Sequence, residues 1–257
     1  SVNKQASSDV MKLPDGLITT LKNANNVLVL TGAGMSAESG VPTFRDAQTG
    51  LWEKYRPEDL ATPEAFRHHP RIVWDWYAER RRNIRQVRPH TGHIALVEME
   101  QHFENFVLVT QNVDSLHQQA GSSEVIELHG NIMLSICSET GKIIEDNWIE
   151  SNPGRPPISP HHPRGLARPG VVWFGEALPA GSMNFAMEKA AACDVCFSIG
   201  TSTLVQPAAS LPFFALEAGA VVIEVNPTPT LLSAKAHFSL QATAADALTA
   251  IAYDLAL

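Results

Sequence analysis

Three groups of residues in this sequence have the types and spacing to do chemistry. The first, Gly32-Ala33-Gly34-Met35-Ser36-Ala37, follows an apolar run at residues 27–30 and fits the G-x-G-x-x-G/A pattern. Such a turn lets the backbone close on a pyrophosphate whose charge sits at a helix start. Enzymes that use it for hydride transfer place an acidic residue about 20 positions on, at a second strand end. Glu53 has that distance, but TGLWEKYRPED is no strand end, so hydride transfer fits poorly. The second group is Asn112 and Asp114 in QNVD. An amide and a carboxylate can pair with a carboxamide, and they can equally form an Asx turn and helix cap. The third is Tyr77 and Arg80, three apart in the helix-like run 71–85 and so on one face. By pattern alone Arg80-Arg81-Arg82 reads first as a solvated face, although a phenol and a guanidinium fork on one face could together bind a carboxylate. His129, one of ten histidines, carries no signal by type alone.

The elements that must position these groups are short runs rich in Val, Ile and Leu, at residues 27–30, 106–110, 125–128, 171–174, 195–199 and 221–225. Runs of this kind are strands buried on both faces, as in a parallel sheet. Helix-like stretches at 114–120, 178–192 and 207–218 separate most of them, which predicts a doubly wound, Rossmann-like α/β sheet. Ligands of such sheets bind at the carboxyl ends of the strands. TGAG, QNVD, HGN, FGE, GTS and VNP all fall there. Residues 41–89 contain no good strand but a helical segment at 63–87. Residues 136–168 are poor in periodicity and rich in Pro, His, Ser and Gly. Both read as inserts forming a smaller domain beside a large one of about residues 20–40, 90–135 and 165–257, and the second reads equally as a loose surface loop.

With 44% hydrophobic and 18% charged residues, the 257-residue chain is an ordinary globular sequence. A net charge of −8 argues against general nucleic-acid binding. No apolar run approaches the roughly 18 residues that span a bilayer, and SVNKQASSDV has neither a secretory nor a transit pattern. Three cysteines are too few for a disulfide scaffold. A cytoplasmic, monomeric protein is the expectation.

The wider segment around the glycine turn, GAGMSAESGVPTFRD (residues 32–46), resembles the signature of the sirtuin family. So do TQNVDSLH, ELHG, RPGVVWFGE, IGTSTLVQPAA and EVNP, in the same order; the resemblance runs from about residue 27 to 226 and fails only around 137–163. It implies an enzyme that consumes NAD as co-substrate. An acyl-lysine oxygen attacks the ribose carbon that bears nicotinamide, nicotinamide leaves, and the acyl group passes to ADP-ribose. His129 matches the base, and a histidine's reference pKa of about 6.5 suits that task. Asn112 and Asp114 match the pair that holds the nicotinamide amide and orients water and ribose. Gly32, Ala33, Gly34, Glu38, Thr43, Phe44, Arg45, Gln111, Gly200, Thr201, Ser202 and Asn226 match cofactor positions, the GTS turn being read as a second helix start. Val171, Val172, Phe174, Gly175 and Glu176 match the segment that pairs with the backbone of an acylated-lysine peptide or protein.

Ala61, Tyr77 and Arg80 resemble the subgroup that removes succinyl and malonyl groups, whose terminal carboxylate the arginine and phenol would bind. Mainly deacetylase activity, ADP-ribosyl transfer and a non-enzymatic NAD- or ADP-ribose-binding module are the competing readings. Most sirtuins hold structural zinc with two C-x-x-C pairs. Here the first is reduced to Cys137-Ser-Glu-Thr140 and the second is absent from SPHHPRGLARP, so no zinc is expected, with a mixed Cys137/His161/His162 site as the alternative. Cys193-Asp-Val-Cys196 reads as core packing.

Overall fold

A computed structural model describes residues 10–43, 48 and 50–257. In chain order the first elements are α1 (Leu17–Lys22), β1 (Asn26–Thr31), α2 (Ala33–Ala37), α3 (Pro57–Leu60), α4 (Pro63–His68), α5 (Pro70–Arg85) and α6 (Thr91–Glu100). There follow β2 (Asn105–Thr110), α7 (Leu116–Ala120), β3 (Val125–Glu127), β4 (Gly130–Cys137), β5 (Ile143–Ile144), α8 (Asp146–Ser151) and β6 (Ala167–Val171). The chain closes with α9 (Ala180–Ala192), β7 (Val195–Ile199), α10 (Ser210–Glu217), β8 (Val221–Val225), β9 (Phe238–Leu240) and α11 (Ala244–Leu255).

The apolar runs form a parallel sheet in the order β3-β2-β1-β7-β8-β9. In β1 every residue after Asn26 is buried, because helices cover both faces. On one side Leu17, Leu21, Leu96, Met99, Leu248 and Ile251 of α1, α6 and α11 pack on the sheet. On the other side Ala186, Ala190, Leu211 and Ala215 of α9 and α10 do the same. Each such leucine contributes about 2 kcal/mol of hydrophobic stabilisation. The chain steps outward from β1 to β2 and β3, then returns to β1's other side as β7. That reversal is a topological switch point, and the crevice beyond the carboxyl ends of β1, β2 and β7 is where such sheets take ligands.

Several expectations need correction. The run at 171–174 is not a strand of the parallel sheet. The strand there is β6, and it pairs antiparallel with β4 in a second sheet, β5-β4-β6. β4 begins one residue after His129 and is the central strand of that sheet. Residues 136–168 are therefore no loose loop: β5 and α8 fold over Cys137, Trp74 and Ala167 through Ile144, Trp148 and Ile149. The single helical segment at 63–87 is two helices, broken at His69, which Pro70 pushes out of the helical region (φ −138°, ψ 60°). Nor does a helix start at GTS, since α10 begins only at Ser210. Among the described residues, no helix is long and apolar enough to cross a membrane.

Candidate active site

The turns after β1 and β7 interlock backbone to backbone. Gly32 N–H donates to the Ile199 carbonyl at 3.0 Å, and Gly34 N–H to that of Gly200 at 2.7 Å. A Cβ on Gly34 would lie 2.8 Å from Gly200 Cα, and one on Gly200, whose φ is +64°, would lie 2.4 Å from Met35 N. Glycine is thus required at these positions by the packing itself. Gly32 is buried in this interlock, and Gly34 and Gly200 are half-buried. Thr201 lies buried behind, its carbonyl accepting from Asn226 Nδ2 at 2.8 Å, while Ser202 is exposed. Glu38, expected with the cofactor, accepts from Ala244 N and Ala245 N and so caps α11. Phe44 and Arg45 lie outside the described residues. Thr43 lines a cavity described below.

The loop after β2 supplies the polar centre. Asn112 Nδ2 donates to the Gly32 carbonyl at 2.9 Å and to Ser36 Oγ at 3.1 Å. Ser36 Oγ in turn donates to Asp114 Oδ2 at 2.5 Å, and Asp114 Oδ1 accepts from Leu116 N at 3.0 Å. The Asx-turn reading therefore holds for Asp114, whose side chain is buried and also takes the Ser36 hydroxyl. His129 approaches from the end of β3. Its Nδ1 lies 3.1 Å from the Gln111 carbonyl, so Nδ1 carries the hydrogen and Nε2 is the basic nitrogen. Burial holds this imidazole below its ordinary pKa, against the opposing Gln111 bond, so it is neutral near pH 7.

On the far side of the crevice, residues 172–174 are stitched between the His129 turn and α3. Val172 N donates to the His129 carbonyl at 2.9 Å, and Phe174 N to the Ala61 carbonyl at 3.0 Å. Val171 is the buried end of β6, and Gly175, with φ +85°, makes the turn that follows. The carboxylate of Glu176 is taken up by Arg168, at 2.8 and 2.9 Å, and by Trp173 N at 2.8 Å, so it fixes this turn. Arg168 also lies 3.6 Å over the Trp173 ring.

Tyr77 and Arg80 do come together. The Tyr77 hydroxyl accepts from Trp173 Nε1 at 3.0 Å, which leaves its own proton to donate elsewhere. Burial pushes this phenol's pKa up, and nearby Arg80 opposes that. The Arg80 guanidinium spreads over the Trp76 and Tyr77 rings and pairs with no carboxylate among the described residues. It lines a cavity of about 160 Å³ with Val41, Thr43, Trp52 and Asn83. Ala61 is buried in the same aromatic cluster as Tyr77 and Trp173. Sequence reasoning missed Arg81, which is buried, not solvated. Its Nε donates to the Ile132 carbonyl at 2.6 Å and its Nη2 to the Leu134 carbonyl at 3.0 Å, holding the bulge in β4 that follows His129. Burial and neighbouring Arg85 lower its pKa to about 10, so it stays charged.

The donor set near Cys137 does not fit zinc. Gly165 packs against Cys137, Ser159 and His162 at once, so the x-x-spaced pairs Cys137/Thr140 and Ser159/His162 approach one another. Only one thiol and one imidazole are among these four, and His162 Nδ1 already accepts from Arg164 N. His161 Nε2 is engaged with the Ile143 carbonyl. No group of three His, Cys, Asp or Glu residues suited to a metal occurs among the described residues. Cys196 is core, as expected, with Cys193 packed against it.

Comparison with known proteins agrees with this fold. The Sir2 family description matches residues 32–207. An NAD-dependent protein deacylase of Aquifex aeolicus is 51% identical over 222 residues, covering 85% of this chain and 91% of its own length. One of Ralstonia nicotianae is 50% identical, covering 90% of this chain and 92% of its own length. Among solved structures, a Sir2 homologue in complex with NAD superposes with TM-score 0.85 at 40% identity, covering 97% of this chain and 98% of that one. A Sir2–p53 peptide–NAD+ complex gives TM-score 0.82 at 27% identity, covering 95% and 98%.

Proposed function

This chain belongs to the Sir2 family, and we propose that it is an NAD-dependent protein-lysine deacylase that prefers acidic acyl groups such as succinyl and malonyl and holds no structural zinc. NAD, when bound, supplies a ribose carbon whose leaving group is nicotinamide. The interlocked Gly32–Gly34 and Gly200 turns would face its phosphates, Asn112 its carboxamide, and Gln111 and Asn226 its riboses. His129 Nε2, made basic by the bond that Nδ1 makes to the Gln111 carbonyl, would take a proton from a ribose hydroxyl as the acyl group moves to it. That tautomer-setting bond is the single observation that carries the catalytic reading. Residues 172–175 would offer their edge to the backbone of an acylated peptide. Arg80 and the Tyr77 proton would receive a terminal carboxylate, which acetyl lacks.

The experiment incubates the protein with NAD and matched acetyl-, malonyl- and succinyl-lysine peptides and follows products by mass. Free lysine with O-acyl-ADP-ribose, fastest from the acidic acyl groups, is expected. Peptide carrying ADP-ribose would replace this reading with a transferase, and faster deacetylation would reverse the specificity. His129→Ala should lower turnover at least 100-fold, the lower end of general-base effects of about 10²–10⁴.

A further inference from the structure

Behind the catalytic loops, three histidines pack ring to ring. The centroids of His90 and His93 are 4.2 Å apart and those of His93 and His117 5.2 Å, both pairs edge-on. His93 is fully buried and His117 is 2% exposed. Their hydrogen bonds run outward in two directions. His90 Nδ1 accepts from Gly92 N at 2.9 Å, so its Nε2 carries the hydrogen and donates to the Met35 carbonyl at 2.7 Å, in the helix of the glycine turn. His93 Nδ1 accepts from His90 N at 3.1 Å. His117 Nε2 meets Thr31 Oγ1 at 2.8 Å, Thr31 Oγ1 donates to Thr110 Oγ1 at 2.8 Å, and Thr110 Oγ1 accepts from Asn112 N at 3.0 Å. None of these bonds goes to a carboxylate.

Thr31 and Thr110 are register partners at the carboxyl ends of β1 and β2, each the last residue before its turn. A hydroxyl pair at this place is not needed by the sheet, whose ladder is complete through the backbone. In a buried environment each hydroxyl is costly unless bonded. The line from His117 through both hydroxyls ends on the backbone of Asn112, whose side chain bridges to Gly32 and Ser36. We propose that Thr31, Thr110 and His117 are positioning residues that fix the two strand ends against each other and so hold Asn112 for the nicotinamide. This rests on the deacylase reading for the role of Asn112. The glycine turn has anchors of its own besides the Asn112 side chain, Gly32 N to the Ile199 carbonyl and Gly34 N to the Gly200 carbonyl, so the phosphate side should depend less on the hydroxyl line than Asn112 does.

The separation of the two sides supplies the test. Thr31→Val keeps the shape of the strand and removes the hydroxyl. Affinities for NAD, which carries nicotinamide, and for ADP-ribose, which does not, are measured by calorimetry, together with turnover and the KM for acyl peptide. Expected for Thr31→Val are a fall of about tenfold in NAD affinity and in kcat, as for loss of a buried hydrogen bond. ADP-ribose affinity and peptide KM should stay within about twofold. Thr110→Val should behave alike, the double variant should lose little more than either, and Thr31→Ser should restore the wild-type values. Equal losses for NAD and ADP-ribose, or unchanged NAD affinity, would overturn the inference in favour of a purely structural role. Wild-type turnover reports on the deacylase reading separately, and the affinity ratio stands without it.

Discussion

Acidification to about pH 5 should remove about 4 kcal/mol of stability, and two buried histidines set the size of that loss. Burial, reinforced by neighbouring imidazoles, lowers His93 from its ordinary value to about 3 and His117 to about 4. In the unfolded chain both titrate near 6.5. Below pH 6.5 the unfolded chain therefore binds protons that the folded chain refuses, and stability falls as pH falls. At pH 5 this amounts to about 2 kcal/mol per histidine, and almost nothing at pH 7.5. His129, also lowered by burial, adds in the same direction, whereas Glu127, raised by burial, offsets part of it. Glu176 and Asp75 have lowered pKa values, so their contributions are lost only below the ordinary carboxylate range. The window from pH 7.5 to 5 is thus dominated by the imidazoles. Urea unfolding followed by tryptophan fluorescence at both ends measures it, and a His93→Gln/His117→Gln variant should lose less than half as much as wild type. A wild-type loss below about 1 kcal/mol would refute the argument.

Arg80→Met should lower kcat/KM on succinyl-lysine at least about tenfold, with little effect on acetyl-lysine, because a charged hydrogen bond contributes about 1.5–3 kcal/mol; equal losses on both substrates would make Arg80 structural. Arg81→Met should lower stability by about 3 kcal/mol, leaving the Ile132 and Leu134 carbonyls without their donor, and a change below about 1 kcal/mol in urea unfolding would contradict that role. Elemental analysis after dialysis against a weak chelator should find no stoichiometric zinc, and Cys137→Ala should cost only about 1–2 kcal/mol, as for a small buried side chain; one zinc per chain, lost in that variant, would restore a metal site.

The parts of this molecule that were legible in the sequence are those fixed by local pattern. Residues 27–30, 195–199 and 221–225 are continuous apolar runs because both faces of a parallel strand are covered, and that pattern needs no knowledge of neighbours. β9, of three residues, and β4, whose bulge interrupts its alternation, carry no such signal. The strand at 167–171 is hidden in the sequence because Arg168, Pro169 and Gly170 disguise it, and residues 171–173 look more strand-like than the strand itself. For the proposed site, motif order points to Asn112, Asp114 and His129, but nothing in the spelling ELHG reveals which imidazole nitrogen is basic. That follows only from the Gln111 carbonyl, eighteen residues away in sequence. The arginine run shows the same limit most sharply. Arg80, Arg81 and Arg82 are chemically identical, and their successive turns around α5 point one to a cavity, one into the β4 bulge and one to solvent. At about 100° per residue, three neighbours cannot share an environment. Periodicity can therefore say that their fates differ, whereas only the packing of β4 against α5 decides that the middle one is the buried cation.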